Sequence, residues 1–119
     1  MAETLFIQYP KCSTCRNAKK YLEAQGVSFD DRHIVEQPLT KQELRDLLDK
    51  SGLEIKKFFN TSGNKYKELG LKDKLKGMSM EEQLDLLASD GMLVKRPILV
   101  RGDKVTVGFK DEEFQKVLG

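Results

Sequence analysis

The stretch TLFIQYPKCSTCRNAKKYLEAQG, residues 4–26, decides the fold of this 119-residue chain. Leu5, Phe6 and Ile7 stand in a row and predict a short buried strand from Thr4 to Gln8. The segment from Tyr9 through Pro10 to Ser13 breaks it. A helix follows from about Ser13 to Gln25, with Ala18 and Leu22 four apart on one face and Tyr21 and Cys15 near it. Gly26 stops that helix as a C-terminal cap. Val27, Phe29 and the run Arg32 to Ile34 then predict a second extended piece. Strand, turn with two cysteines, helix and strand make one β-α-β unit, whose strands should run parallel.

Outward from this unit the period changes. Thr40 and Glu43 form a capping box, flanked by Leu39 and Leu44 as its hydrophobic staple. The helix they open buries Leu44, Leu47 and Leu48 and stops at Ser51-Gly52. Ile55, Phe58 and Phe59 predict a short helical turn, residues 60–64 a polar loop, and Tyr66 to Leu69 a short helix ended by Gly70. Ser79 and Glu82 make a second capping box, before a helix carrying Met80, Leu84, Leu87 and Ala88 and ended by Asp90-Gly91. The last third is a hairpin, Ile98 to Val100 and Lys104 to Val107 around Arg101-Gly102-Asp103. A final helix from about Asp111 to Leu118 turns Phe114 and Leu118 inward, with Val117 beside them. Helices set between two halves of one mixed sheet fit this order best.

Composition bounds the function. Lys and Arg number 21 against 19 Asp and Glu, a formal charge of +2, so no basic surface for direct nucleic-acid binding is expected. Apolar runs are too short for a membrane span. The start, Met1-Ala2-Glu3-Thr4, lacks the basic and then apolar regions of a signal peptide, so a cytoplasmic location is expected. Size favours one domain over residues 1–119.

The chemistry concentrates at Cys12-Ser13-Thr14-Cys15. A disulfide here closes a tiny loop and constrains the unfolded chain little, so the pair points to chemistry or metal binding. Zinc needs about four ligands, and two cysteines with one histidine, His33, do not supply them. No metal or cofactor is therefore expected. The strand-to-helix junction places Cys12 at or before the first helical turn, where free amides and the helix dipole favour an anion. That environment raises the thiolate fraction. Cys15 lies one turn further in, so an exposed attacking sulfur faces a partly buried resolving one. Lys11 and Arg16 add positive charge. The bland alternative is two inert buried cysteines.

Arg96-Pro97 precedes the apolar strand. A cis peptide there would make a tight bend, and Arg96 could present its guanidinium to an anion held at the Cys12 turn. The competing reading is a surface arginine beside a strand-opening proline. His33 reads as a surface or edge residue. The Lys-rich stretch from Lys65 to Lys76 reads as a solvated face, and residues 61–64 as a loop.

These residues resemble the arsenate reductase (ArsC)/Spx/MgsR family. The matching pieces are residues 9–16 (YPKCSTCR), 66–71 (YKELGL), 90–100 (DGMLVKRPILV) and 107–109 (VGF), spread over nearly the whole chain. The resemblance implies an α/β, thioredoxin-like (glutaredoxin-like) fold, with a four-stranded mixed sheet and a helical insertion. On that pattern the core spans about 1–36 and 92–119 and the insertion about 37–91. It implies that Cys12 is the nucleophile, Arg96 an oxyanion-binding arginine and Pro97 the cis proline. Lys11, Ser13, Thr14, Arg16, Asn60 and Pro97 are its candidate substrate- or anion-binding residues. The family's arsenate reductases carry further arginines, one at the position of Asn60 and one near Val107-Gly108-Phe109, and this chain has neither. Two charge-assisted contacts to arsenate are thereby lost. Cys15 instead matches the paired cysteines of the Spx and MgsR regulators, and Gly52 falls near their docking glycine. The implied functions are a thiol–disulfide oxidoreductase with Cys15 as resolving cysteine, a redox-sensing regulator binding the RNA polymerase α subunit, or a glutaredoxin- or thioredoxin-coupled arsenate reductase. Thioredoxin, glutaredoxin or glutathione is the implied reductant.

Overall fold

Leu5, Phe6 and Ile7 place β1 (Thr4–Gln8) in the interior of a four-stranded sheet, with Phe6 and Ile7 fully buried. The structure, a computed structural model, describes residues 4–118; Met1-Ala2-Glu3 and Gly119 lie outside them. After β1 come α1 (Ser13–Ala24) and β2 (Asp30–His33). The helix α1 ends in a Schellman motif: Gly26, at φ 69°, donates to the Glu23 carbonyl and Val27 to that of Leu22. The strand β2 pairs parallel to β1, Leu5 opposite Asp30 and Gln8 opposite His33. It starts later than the apolar residues suggest, at Asp30 rather than Val27. It lies at the sheet edge, where polar residues are tolerated and discourage further pairing, so hydrophobic patterning finds the strand but misplaces its start.

The sheet is completed by β3 (Ile98–Arg101) and β4 (Lys104–Val107), in the order β2-β1-β3-β4. Both new pairings are antiparallel, so the sheet is mixed. Phe6 and Leu99 face each other across β1 and β3 and join Ala18 and Leu22 of α1 in one buried cluster. The last helix of the chain, Asp111–Leu118, adds Phe114 and Val117. Leu118 packs against this cluster partly buried, and Val117 beside it is buried more deeply. Phe114 packs edge-to-face on Phe109 at 4.8 Å and on Tyr21 at 5.9 Å.

Residues Val35–Lys95 form a second compact unit, separate from the one built of the residues up to Ile34 and from Arg96. Its helices are α2 (Lys41–Ser51), α3 (Asn64–Glu68), α4 (Leu71–Lys74) and α5 (Met80–Ser89), which makes the terminal helix α6. Both capping boxes form: Thr40 Oγ1 accepts from the Glu43 amide at 3.1 Å, and Ser79 Oγ from that of Glu82 at 3.2 Å. Leu39 and Leu44 are buried, as a staple requires. Across α2 and α5, Arg45 forks onto Glu81 at 2.7 and 2.8 Å, and Lys41 bridges Glu81 and Asp85. Short 3₁₀ turns at Ile55–Phe58, Leu75–Gly77 and Gly91–Leu93 fill the connections. The predicted polar loop is shorter than expected because α3 starts at Asn64, and the lysines of the Lys65–Lys76 stretch are exposed on the short helices it forms. Tyr66 and Leu71 anchor it by burial. No helix among the described residues is long and apolar enough to cross a membrane.

Candidate functional site

Cys12 is the N-cap of α1, with extended backbone at φ −88° and ψ 123°. Its own amide donates to the Tyr9 carbonyl at 3.0 Å, and its carbonyl accepts the first helical hydrogen bond, from Arg16, at 3.0 Å. Sγ thus lies over the start of the helix, where the amides have no helical partner. Cys12 is half-buried and Cys15 fully buried, and both are free thiols. Cys15 sits deeper than its position one turn into the helix suggests, because it shares the inward face of Ala18 and Leu22.

The two thiols are driven apart in acidity. Burial alone would raise Cys12, but several neighbours outweigh it and hold its pKa below the ordinary thiol value. They are the backbone amide and side chain of Cys15, the positive charge of Arg96 and the amide of Thr14. No first-turn amide makes a side-chain capping bond of ordinary geometry to Cys12, so these amides act as oriented dipoles at short range. Burial pushes the Cys15 thiol up to about 12. The Tyr9 amide opposes that rise; the contact with Cys12 and its charge reinforce it. When the pair ionises, the charge therefore settles on the outer sulfur, and the inner thiol keeps its proton.

Arg96 reaches this turn through the sheet register. Ile7 pairs with Ile98 in antiparallel sense, so two residues further on Arg96 falls opposite Tyr9. Its guanidinium lies over the Tyr9 ring, 5.1 Å from the centroid. The Arg96–Pro97 peptide is cis, and Pro97 is buried with its carbonyl accepting from the Gly108 amide at 2.7 Å. Tyr9 is the residue that sequence reasoning missed. It stacks edge-on against His33 at 5.6 Å, carries Arg96 and lends backbone groups to both cysteines. Its one available signal was its place beside Pro10 in the cysteine turn.

The other candidates are distributed differently. Lys11, Ser13, Thr14 and Arg16 are exposed on the cysteine turn and first helical turn. Asn60 belongs to the Val35–Lys95 unit, where its amide donates to the Leu93 carbonyl at 2.8 Å and its Oδ1 accepts from Ser62 Oγ at 3.4 Å. At the hairpin end, Gly108 takes φ 84° and Phe109 packs into the aromatic cluster. Among the described residues no group of three or more His, Cys, Asp or Glu is placed to hold a metal.

A cysteine pair on a strand-to-helix turn, an arginine before a cis proline, and a β2-β1-β3-β4 sheet occur together here, and the ArsC family model matches residues 7–117. The chain belongs to the ArsC family. It is 61% identical to the uncharacterized protein YusI of Bacillus subtilis, over 93% of this chain and 94% of that one. It is 32% identical to the regulatory protein MgsR of Bacillus subtilis, over 94% and 87%. To the global transcriptional regulator Spx of Streptococcus pneumoniae it is 30% identical, over 97% and 84%. Among solved structures, an ArsC family related protein from Bacteroides fragilis superposes with a TM-score of 0.94 at 52% identity, covering 97% of each chain. A possible arsenate reductase from Streptococcus mutans superposes with 0.87 at 47% identity, over 97% and 99%. The fold is thus the thioredoxin-like one, mixed α/β with a four-stranded mixed sheet.

Proposed function

We propose that this ArsC-family protein is a thiol–disulfide oxidoreductase. One observation carries the reading: a half-exposed, acidified Cys12 stands over a buried Cys15 that keeps its proton. The Cys12 thiolate attacks one sulfur of a substrate disulfide. A new S–S bond forms to Cys12, and the other substrate sulfur leaves as thiolate. Cys15 then loses its proton to solvent or to the departing thiolate and attacks Cys12 Sγ. The second substrate sulfur leaves, and an internal disulfide remains. Two electrons have passed from the cysteine pair to the substrate.

The timing follows from the electrostatics. The Cys12 anion and its contact with Cys15 are among the causes that raise the Cys15 pKa. Once Cys12 is a mixed disulfide both are gone, so Cys15 becomes more acidic at the step that needs its thiolate. Arg96 stabilises the Cys12 thiolate and orients an anionic partner, with Lys11, Ser13, Thr14 and Arg16 as further contacts beside Pro97. Thioredoxin, glutaredoxin or glutathione returns the dithiol, in a reducing, cytoplasmic compartment.

The test is turnover of a peptide–glutathione mixed disulfide with a thioredoxin recycling system. Cys12→Ser abolishes turnover. Cys15→Ser stops at a single glutathione adduct on Cys12, read by mass spectrometry. Undiminished turnover by Cys15→Ser would remove the resolving role, and no turnover by the wild-type chain would remove the enzyme.

A second reading, a redox-sensing regulator that binds the RNA polymerase α subunit, draws support from the likeness to MgsR and Spx. Gly52, near the docking glycine of those regulators, also has a purely structural use: it caps α2 at φ 67°. A pull-down with the α subunit, with the cysteine pair reduced and oxidised, separates the readings. Binding that follows redox state, without disulfide turnover, selects the regulator. Arsenate reduction is disfavoured, since the sequence has no arginine at position 60 or in Val107-Gly108-Phe109, where the family resemblance expects them.

A further inference from the structure

Within the Val35–Lys95 unit lies a cleft of about 230 Å³. Ile55, Tyr66 and Leu75 supply its apolar lining, and Lys56, Lys72 and Lys76 its positive charge. Glu54 and Gln83 complete it, and Gln83 Nε2 is held by the Met78 carbonyl at 3.1 Å. The volume is that of roughly seven or eight waters, at about 30 Å³ each. It lies somewhat below the usual range of ligand pockets and suits a compact organic molecule.

The lysines are the unusual part. Lys65 on neighbouring α3 has an acidic partner, Asp90, at 3.9 Å. Lys56, Lys72 and Lys76 form no ion pair among the described residues. Lys72 and Lys76 are four apart across α4 and the 3₁₀ turn that continues it. Like charges at that spacing repel, so their placement costs stability until a counter-charge arrives. Lys56 comes from a separate turn and is the third lysine of the lining. One carboxylate, Glu54, leaves the lining with an excess of positive charge.

We propose that this cleft binds a small amphipathic organic anion, its apolar body against Ile55, Tyr66 and Leu75 and its acid group among Lys56, Lys72 and Lys76. All of its lining residues belong to the Val35–Lys95 unit, and the cysteine pair belongs to the other. The three cations select charge, and the size of the cavity selects a short aliphatic or single-ring body. Affinity for so small a molecule falls in the millimolar range, to order of magnitude.

The experiment is an amide-resolved NMR titration of the full-length reduced protein with 3-phenylpropionate at low salt. Saturable shifts are expected at Ile55, Lys56, Tyr66, Lys72, Leu75 and Lys76, with the amides of residues 12–16 unmoved. Raising salt weakens binding. The double variant Lys72→Gln/Lys76→Gln, exposed and foldable, weakens it several-fold, as does replacing the probe by the neutral 3-phenylpropan-1-ol. No saturable shift at the cleft, equal binding of the alcohol, or shifts confined to the cysteine turn would each overturn the proposal. A capped acidic pentapeptide serves as the competing arm. Saturation by that peptide at lower concentration than the acid would assign the cleft to a protein segment and overturn the small-molecule reading.

Discussion

Cys12 and Cys15 share one turn of helix yet titrate in opposite directions from the ordinary thiol value of 9.0. With iodoacetamide, Cys12 is expected to alkylate along a pH profile whose midpoint lies below that value, while Cys15 stays unmodified. Arg96→Gln removes a positive charge and moves the Cys12 midpoint upward; an unmoved midpoint would show that the helix amides act alone. The same opposition appears in stability. Cys12, depressed in the native state, contributes stability that is lost as pH falls through its folded pKa. Cys15, raised to about 12, contributes stability that is lost as pH rises from 9.0, where the unfolded chain gives up its proton first. Between those values urea denaturation should show wild-type stability falling by at most about 1.4 kcal/mol per pH unit relative to Cys15→Ala. Parallel curves for the two proteins would mean that Cys15 is not held protonated. The residue types of this site were legible in the sequence, and so was the polarity of the pair. Tyr9 was not, because an aromatic before a proline carries no signal until its neighbours are known.

At the scale of elements, local chemistry decided most helix boundaries. The capping boxes at Thr40–Glu43 and Ser79–Glu82 form with reciprocal hydrogen bonds. Thr40→Ala and Ser79→Ala are each expected to cost about 1 kcal/mol in urea denaturation, because an orphan amide at the helix start loses its acceptor. A loss near zero would show that tertiary contacts alone hold these termini. Elements without such a signal have bounds that the sequence places less well. Val27, Phe29 and Arg32 to Ile34 predict the parallel second strand, but its bounds, Asp30–His33, are set by pairing with β1. The short helix Leu71–Lys74 has four residues, too few for periodicity to reveal, and rests on the burial of Leu71.

Over the whole molecule, chain order and spatial order part company. The chain leaves its first unit after Ile34, builds Val35–Lys95, and returns at Arg96. Phe114, near the C-terminus, then joins Phe6, Ala18 and Leu22 from its beginning. Phe114→Ala should cost about 3–5 kcal/mol of stability, with a residual cavity between α1 and α6. A loss below about 1 kcal/mol would show that the aromatic cluster closes over the gap. The sequence by itself determined the cysteine turn, the helix caps and the apolar strands, because each depends on residues a few positions apart. Only the tertiary structure decided that Arg96 stands over Tyr9 beside Cys12, that Cys15 is fully buried, and that three lysines line one cleft. These facts depend on strand register and on packing between elements distant in sequence, and no local propensity encodes either.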